Sequence, residues 1–222
     1  MSQFRGLVQA EFGSPARLAR LDDGEPHFGG AGIDSTPNSV RCTSGPIVWR
    51  SGLLGSVSVA HCFSNGSFIF SGPKDYGVAA GAAPYPSSDL IRIEPGGQQF
   101  VDTIHTDPCC PNARDQSGKA DPLQGSDVCF SGMVTKAKCG IRVVALNQSF
   151  CDSVGCTTGL AVGERVGVTI AVQGDSGAPV YSAAGTAGAT IRGMVVAGSG
   201  PSRTFFHTVS QIESQLGVTI AL

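Results

Sequence analysis

The chain contains three residues that together can activate a hydroxyl group, namely His61, Asp89 and Ser176. A serine hydroxyl is a poor nucleophile at neutral pH, because it needs an imidazole to take its proton and a carboxylate to orient that imidazole. We therefore interpret Ser176 as a candidate nucleophile, His61 as its general base and Asp89 as the group that orients the ring. The chemistry indicated is nucleophilic catalysis.

The serine lies in a glycine-flanked run, Gly174–Gly177, that suits a reactive turn. Glycine lets the backbone bend where a side chain would clash, and it lets a second molecule come close. The backbone N–H groups of Gly174 and Ser176 can then point at one spot and form an oxyanion hole. Such a loop is also common in β-rich proteins, so it is informative only together with His61 and Asp89.

A second carboxylate, Asp75, competes with Asp89 for the orienting role. Asp75 lies in the segment Pro73–Gly77, which is typical of an exposed turn. Asp89 begins an apolar run and is better placed to be buried beside an imidazole, so the sequence favours Asp89. The other histidines lack a comparable sequence context, and these are His27, His105 and His207.

The bulk composition limits the classes of function. The chain has 222 residues and a formal net charge of −2, so it lacks the basic field expected of a protein that binds nucleic acid or anionic lipid. It also lacks an apolar run long enough to span a membrane. We expect a monomer that binds neither nucleic acid nor membrane.

The eight cysteines indicate disulfides rather than zinc, because zinc sites usually contain Cys-x2-Cys or His-x3-His spacings that are missing here. Disulfides imply an oxidising compartment, so we expect a secreted, extracellular protein without a cofactor. Residues Met1–Leu21 do not read as a signal peptide, since they are charged and lack a continuous apolar stretch. A signal outside this sequence is the favoured explanation, and export by another route is the alternative.

Short apolar runs separated by turn signals predict an all-β protein. The predicted strands are Ile47–Trp49, Ser56–Ala60, Ser67–Phe70, Leu90–Ile93, Gln99–Ile104, Ile141–Leu146, Arg165–Ala171, Pro179–Tyr181 and Ile191–Ala197. One helix is predicted near the C-terminus, where Ser210 and Glu213 match a capping box and Gly217 can end the helix. The polar stretch Thr106–Gly125 has no strong strand pattern and is interpreted as a linker.

Over residues 27–222 the chain resembles the bacterial chymotrypsin-like serine proteases, the streptogrisin and alpha-lytic protease group. The order His, Asp, Ser along the chain is that of chymotrypsin-type enzymes. The segments that carry the resemblance are Arg41-Cys42, Ala60-His61-Cys62, Tyr85–Arg92, Val128–Gly132, Cys139-Gly140, Gly174–Gly177 and Thr204–Val209.

The resemblance implies two six-stranded antiparallel barrels with a C-terminal helix. It also implies endopeptidase activity on polypeptides through an acyl-enzyme, with a triad of His61, Asp89 and Ser176. The expected divisions are an N-terminal extension or pro-segment remnant (1–26), an N-terminal barrel (27–107), a linker (108–125) and a C-terminal barrel with the helix (126–222). A protease-like binding protein without turnover is the alternative function.

The resemblance also implies two disulfides, Cys42–Cys62 and Cys129–Cys139. Adjacent cysteines rarely bond each other, because the geometry is strained. The other expected bonds, in an order that the sequence does not assign, join Cys109 and Cys110 to Cys151 and Cys156. We expect no metal, since scattered loop carboxylates are usually just solvated, and those considered for calcium are Asp107, Asp115 and Asp121.

The carboxylate before the serine, Asp175, marks a departure from the family. A buried carboxylate needs a positive partner, and the family's arginine is replaced here by Phe130. The candidates to replace this arginine as the partner of Asp175 are Arg142, Lys136 and Lys138. A rival hypothesis is that the partner is a new N-terminal amine, made as in a zymogen by cleavage near His27–Gly30.

By position, the substrate pocket is lined by Ile170, Ala171, Gln173, Val196, Ala197 and Gly198. This lining has no carboxylate at its base, which argues against a preference for Arg or Lys. Its apolar character favours a medium-sized apolar or aromatic residue before the cut. Arg203 supports the alternative, a preference for an acidic residue. Val196 also replaces a family serine that supports the triad carboxylate, so activity could be lower.

Overall fold

The computed structural model of the chain describes residues 20–109 and 111–222. This part is mostly β-structure and has one helix, α1 (Val209–Leu216), near the C-terminus. Within the described ranges, no helix is both long and apolar enough to cross a bilayer. The strands, in chain order, are β1 (His27–Gly29), β2 (Gly32–Ile33), β3 (Cys42–Thr43), β4 (Ile47–Arg50), β5 (Leu53–Ser58), β6 (Phe68–Ser71), β7 (Lys74–Ala80), β8 (Ile91–Glu94), β9 (Phe100–His105), β10 (Ala113–Lys119), β11 (Asp127–Gly132), β12 (Lys136–Cys151), β13 (Cys156–Glu164), β14 (Pro179–Ala184), β15 (Gly188–Gly198), β16 (Arg203–Thr208) and β17 (Thr219–Ile220).

The strands form two large sheets and one small one. The nine-stranded sheet has the order β1-β9-β10-β15-β14-β11-β12-β13-β16, and β15 also pairs with β16. The six strands from β15 to β16 therefore form a closed cycle of pairings. The second sheet has the order β17-β4-β5-β8-β7-β6, and β2 pairs with β3 alone. Strand β17 thus returns the end of the chain to the sheet that contains β4–β8.

Two apolar cores lie beneath these sheets. The first contains buried strand residues such as Ile91 and the apolar face of α1, formed by Val209, Ile212 and Leu216. The second draws its members from residues 128–206. The predicted apolar face of the helix is confirmed, and it joins the last helix to the core of the earlier strands.

The helix begins at a different cap from the predicted one. Thr208 accepts from the backbone N–H of Gln211, and the Gln211 side chain accepts from the Thr208 N–H, which completes a capping box. The predicted Ser210 cap is wrong, because Ser210 lies in the first turn and binds Asp121. Gly217 ends the helix at φ +61°, as predicted.

The strand pattern is misleading in two places, once by predicting a strand and once by predicting none. The predicted strand Arg165–Ala171 is a turn and loop, since β13 ends at Glu164 and Gly167 adopts φ +76°. The predicted linker contains β10, which pairs with β9 and β15. The inward positions of β10 are polar, at Arg114 and Gln116, so the alternation that marks a half-buried strand is hidden in the sequence.

Gln116 connects β10 to distant parts of the fold. Its side-chain amide donates to the carbonyl groups of Ile47 (2.9 Å) and Ala221 (2.8 Å), and its oxygen accepts from the Ile47 N–H (2.8 Å). The residue is buried, so no water replaces these bonds. One side chain therefore holds β4 and the C-terminal residues to the nine-stranded sheet.

Replacing Gln116 with Leu is expected to lower the free energy of unfolding by about 2 kcal/mol, because it removes three hydrogen bonds to buried backbone groups. The Ile47 carbonyl keeps one bond, from the Ala221 N–H. Urea denaturation provides the measurement. The matched control is Gln124→Leu, since this exposed side chain makes one bond, to the Val144 carbonyl. The control should change stability by less than about 0.5 kcal/mol. Equal losses in the two variants would contradict the assigned role.

Candidate active site

Ser176 lies in a turn that is held against β3. The Thr43 N–H donates to the Ser176 carbonyl (2.8 Å), and the Thr43 hydroxyl donates to the Gly174 carbonyl (2.8 Å). Gly177 adopts φ +94°, and a Cβ there would lie 1.9 Å from the Thr43 carbonyl oxygen. Only glycine permits this approach. The turn is therefore fixed by the backbone of a strand more than a hundred residues earlier in the chain.

His61 and Asp89 form a hydrogen-bonded pair. His61 Nδ1 lies 2.5 Å from Asp89 Oδ2, and the His61 backbone N–H donates to Asp89 Oδ1 (2.8 Å). Asp89 is buried, whereas about a third of the His61 side chain is exposed (33%). Because Asp89 occupies Nδ1, the other ring nitrogen, Nε2, is available for proton transfer.

His61, Asp89 and Ser176 line one cavity of about 590 Å³. Asp75, the competing carboxylate, lies elsewhere, on β7. The cavity thus brings together three residues that are 28 and 87 positions apart in sequence. A hydroxyl, an imidazole and a carboxylate are the groups that proton transfer from a serine to a histidine ring requires.

The cavity wall contains five of the six predicted pocket residues, which are Ala171, Gln173, Val196, Ala197 and Gly198. Ile170 is fully buried in the second core and does not line the cavity, which corrects that part of the prediction. Arg203 is also absent from the wall, and its guanidinium lies 3.9 Å from Glu164. The alternative preference for an acidic residue therefore lacks its positive charge in the cavity.

The sequence analysis missed the wall formed by the hairpin between β12 and β13. Asp152 of this hairpin lines the cavity together with Tyr85 and Pro86. The hydroxyl of Thr157 donates to the Pro86 carbonyl (2.8 Å), so the hairpin rests on the segment that precedes Asp89. The available signal was the pair of cysteines that encloses Gly155, which is typical of a short turn.

The disulfides agree only in part with the expected pairs. The bonds Cys42–Cys62 and Cys129–Cys139 are confirmed. Cys151 bonds to Cys156, so the expected bonds from these two to Cys109 and Cys110 are wrong. Residues 151 and 156 face each other across β12 and β13 with their Cα atoms 4.0 Å apart, which brings the two sulfur atoms together. Cys109 is a free thiol among the described residues, and Cys110 lies outside them.

Potential metal ligands near the site are already engaged. His61 lies close to the sulfur atoms of Cys42 and Cys62, but these two sulfurs are bonded to each other and cannot act as thiolate ligands.

The three carboxylates considered for calcium each have a different partner. Asp107 binds Arg20, Asp115 binds Thr103 and Asp121 binds Ser210.

Neither a protein-family model nor a curated protein sequence matches the chain. Solved structures do match. Cellulomonas bogoriensis chymotrypsin is 26% identical with a TM-score of 0.70, and the match covers 87% of this chain and 97% of that one. Nocardiopsis protease (23%, TM-score 0.73, 88% and 98%) and Thermobifida fusca protease A (24%, 0.72, 87% and 97%) match similarly. The chain has the fold of the bacterial chymotrypsin-like serine proteases.

In this protease fold the buried carboxylate Asp175 is held by backbone groups. Its Oδ1 accepts from the N–H groups of Val134 (2.8 Å) and Thr135 (3.2 Å), and its Oδ2 accepts from that of Val172 (3.0 Å). The suggested partner Arg142 is wrong, because it lies on the surface, 3.4 Å from a different carboxylate. Three backbone donors therefore replace part of the hydration that this carboxylate loses on burial.

Neither of the other suggested partners forms an ion pair with Asp175 within the described part of the chain. Lys136 is 3.8 Å from Asp107, and Lys138 makes no ion pair among the described residues. In the intact chain, His27–Gly29 is the buried strand β1, paired with β9, rather than a chain end. Phe130, which the sequence resemblance places where the family has an arginine, packs edge-on against Phe206 and belongs to the second core.

The histidines other than His61 are fully buried. Burial lowers the pKa of His207 to about 4, and this outweighs its hydrogen bond to Gln211 and the attraction of Asp89. The His207 ring therefore stays neutral at neutral pH. His61 is the histidine that combines a carboxylate partner with an exposed ring edge, which supports its selection over the other three.

Arg20 and Asp23 of the predicted N-terminal extension are buried, whereas residues 1–19 lie outside the described residues. Asp23 is buried and joins two buried rings, His27 Nδ1 (3.0 Å) and His105 Nε2 (2.9 Å). Burial alone would raise the pKa of Asp23, but the hydrogen bonds of His105 and His27 outweigh it and lower that pKa. The charged carboxylate thus fixes this segment against β9.

The lowered pKa of Asp23 predicts a pH-dependent contribution to stability. The carboxylate stabilises the fold above its unfolded pKa of about 4, and the contribution is lost as pH falls through the lower folded pKa. Asp23→Asn is therefore expected to cost about 2 kcal/mol at pH 6, and the difference from wild type should shrink below about pH 4. Urea denaturation at several pH values measures this difference.

The exposed Asp127, which pairs with Arg142 on the surface, provides the control for Asp23. Asp127→Asn should change stability by less than about 1 kcal/mol at every pH. A difference between wild type and Asp23→Asn that stays constant from pH 6 to pH 3 would contradict the role of the charge.

Proposed function

We propose that the chain is a serine endopeptidase that hydrolyses peptide bonds through an acyl-enzyme. The observation that carries the proposal is the His61–Asp89 hydrogen bond in the cavity that Ser176 also lines. The similarity in fold to bacterial serine proteases supports the same reaction. The described strands would form two barrels, and the cavity would lie where they meet.

In the first step Ser176 Oγ attacks the carbonyl carbon of the peptide, and its proton moves to His61 Nε2. Asp89 keeps the opposite ring nitrogen protonated and stabilises the positive charge of the ring. The carbonyl oxygen becomes negative and binds the N–H groups of Gly174 and Ser176. The φ of +101° at Gly174 supports this role, because it turns the backbone in a way that residues with a Cβ rarely adopt.

In the second step the tetrahedral intermediate collapses, and His61 gives its proton to the leaving amine. Water then enters, loses a proton to His61 and attacks the acyl carbon, which releases the acid and restores Ser176. No metal or cofactor is required by these steps. The disulfides favour an oxidising compartment, which supports a secreted enzyme.

The cavity wall supports a preference for apolar residues before the cut. Val196, Ala197 and Gly198 present an apolar strip, and Ala171 extends it. A charged residue placed on this strip would lose hydration without gaining a partner from the strip itself, whereas an apolar one would bury surface. The exposed acid Asp152 lies on the hairpin wall beside Tyr85.

A fluorophosphonate, which reacts with an activated serine, is expected to label Ser176 in the folded protein. Ser176→Ala should abolish labelling and peptide cleavage, and Asp89→Asn should lower the rate at least about a thousandfold. Mass spectrometry of the labelled peptide, together with the mass of the whole chain, measures the site and the N-terminus of the active form.

Ser199 is an exposed serine beside Gly198 of the cavity wall and provides the matched control. Ser199→Ala should label and cleave at the wild-type rate. Folded wild-type protein that remains unlabelled would contradict the proposal and favour the alternative, a protease-like binding protein. The observation that favours this alternative is Val196, because the family has at this position a serine that supports the triad carboxylate.

A panel of peptides that differ only in the residue before the cut tests the substrate preference. Peptides with Phe, Leu or Met should be cleaved faster than those with Lys, Arg or Glu. Ala197→Asp should raise the relative rate for Lys about fivefold, since an exposed ion pair is worth up to about 1 kcal/mol. Ala183→Asp, an exposed site on β14, is the control. Fastest cleavage by wild type after Lys or Glu would refute the apolar preference.

A further inference from the structure

The guanidinium of Arg20 is buried (side chain 0% exposed). A buried cation is costly unless its donors are satisfied. Nη1 donates to the carbonyls of Ser131 (2.9 Å) and Gly132 (2.9 Å), and Nη2 donates to the Ser131 hydroxyl (2.8 Å). Nε donates to the carboxylate of Asp107. No step of the proposed reaction has yet used this group.

The two carbonyls that accept hydrogen bonds from Arg20 lie just before the residues that bind Asp175 of the serine turn. A Cβ on Gly132 would lie 2.1 Å from Asp175 Oδ1, so the backbone there packs against this carboxylate. The next residues, Val134 and Thr135, donate their N–H groups to the same oxygen. The end of β11 therefore contacts both groups: its carbonyls bind Arg20, and the backbone of Gly132 packs against Asp175.

A second connection leads from this segment to Gly174. The Met133 N–H donates to the Thr43 hydroxyl (3.1 Å), and that hydroxyl donates to the Gly174 carbonyl (2.8 Å). The side chains of Met133 and Val134 also lie against the Gly174 Cα, where a Cβ would come within 2.9 Å of both. A shift of residues 131–135 would therefore displace Gly174, and its N–H would move with it.

Electrostatic attraction also links Arg20 to Asp175. Asp175 and Asp107 both attract the Arg20 guanidinium. The other nearby cation, Lys136, is about a third exposed (37%), so water screens its interaction with Asp175. Arg20 is thus the buried positive charge of this cluster among the described residues.

We propose that Arg20 is a positioning residue of the active site, which holds the Gly174 and Ser176 N–H groups in oxyanion-hole geometry. It acts by clamping the Ser131 and Gly132 carbonyls and by balancing the charge of Asp175. The inference rests on the proposed endopeptidase function. Arginine suits the role because its planar group has five donors in a fixed fork, whereas lysine offers a single flexible ammonium group.

The test compares Arg20→Met and Arg20→Lys with wild type. We measure kcat and KM on one peptide, the inhibition constant of a peptide aldehyde, which forms an oxyanion in the site, and stability to urea. Arg20→Met is expected to lower kcat about a hundredfold and to weaken the aldehyde similarly, since loss of one oxyanion donor costs about 100- to 1,000-fold in kcat. KM should change less than threefold. Arg20→Lys, which keeps the charge, should recover part of kcat.

Arg92 provides the matched control. It is also largely buried, and its guanidinium donates to the Leu216 carbonyl (2.9 Å), but it lies outside the cavity of His61. Arg92→Met should lower stability and leave kcat and aldehyde inhibition unchanged. Lys136→Met, which removes the screened cation, should lower kcat less than threefold.

The outcomes separate this inference from the function on which it rests. Wild-type protein that neither cleaves nor labels overturns both. Active wild type with Arg20 variants that lose only stability, with kcat per folded molecule unchanged, overturns the inference alone. If Arg20→Met does not fold, Arg20→Lys and Ser131→Ala, which removes a hydroxyl partner, provide the same kcat-against-KM test, and unchanged kcat in both overturns it.

Discussion

The buried carboxylate of Asp175 is the constraint on which the serine turn depends. A carboxylate in a protein interior is tolerated only when donors replace its lost hydration. Here those donors come from Val134 and Thr135, which follow β11, and from Val172, three residues before the acid. Because all three N–H groups must meet one side chain, the positions of the neighbouring residues Gly174 and Ser176 follow from the position of the acid.

The serine turn must also meet His61, which lies in a turn after β5, a strand of the other large sheet. The contact is made through β3, where Thr43 bonds to both Gly174 and Ser176, and through the bond between Cys42 and Cys62 next to His61. Backbone hydrogen bonds and a covalent link thus connect the Ser176 turn to the segment that contains His61. Such connections resist the small displacements to which proton transfer is sensitive.

Much of this arrangement could be predicted from the sequence, because glycine turns and reactive side chains are local signals. The residues His61, Asp89 and Ser176 and the buried face of α1 needed no knowledge of the fold. Strand β10 and the clamp of Arg20 could not be predicted, since both use polar side chains whose partners are distant in sequence. The helix cap was displaced because Ser210 found a partner in Asp121.

The hairpin wall of the cavity is closed by a bond between residues only five positions apart, Cys151 and Cys156. A link that encloses so few residues restricts the unfolded chain little, so it contributes less to global stability than a long-range bond does. Its main effect is on the shape of one rim, where Thr157 rests on Pro86. Opening this bond alone would therefore loosen the hairpin rim of the cavity while the two large sheets stay folded, so the shape of the cavity would change before the fold does.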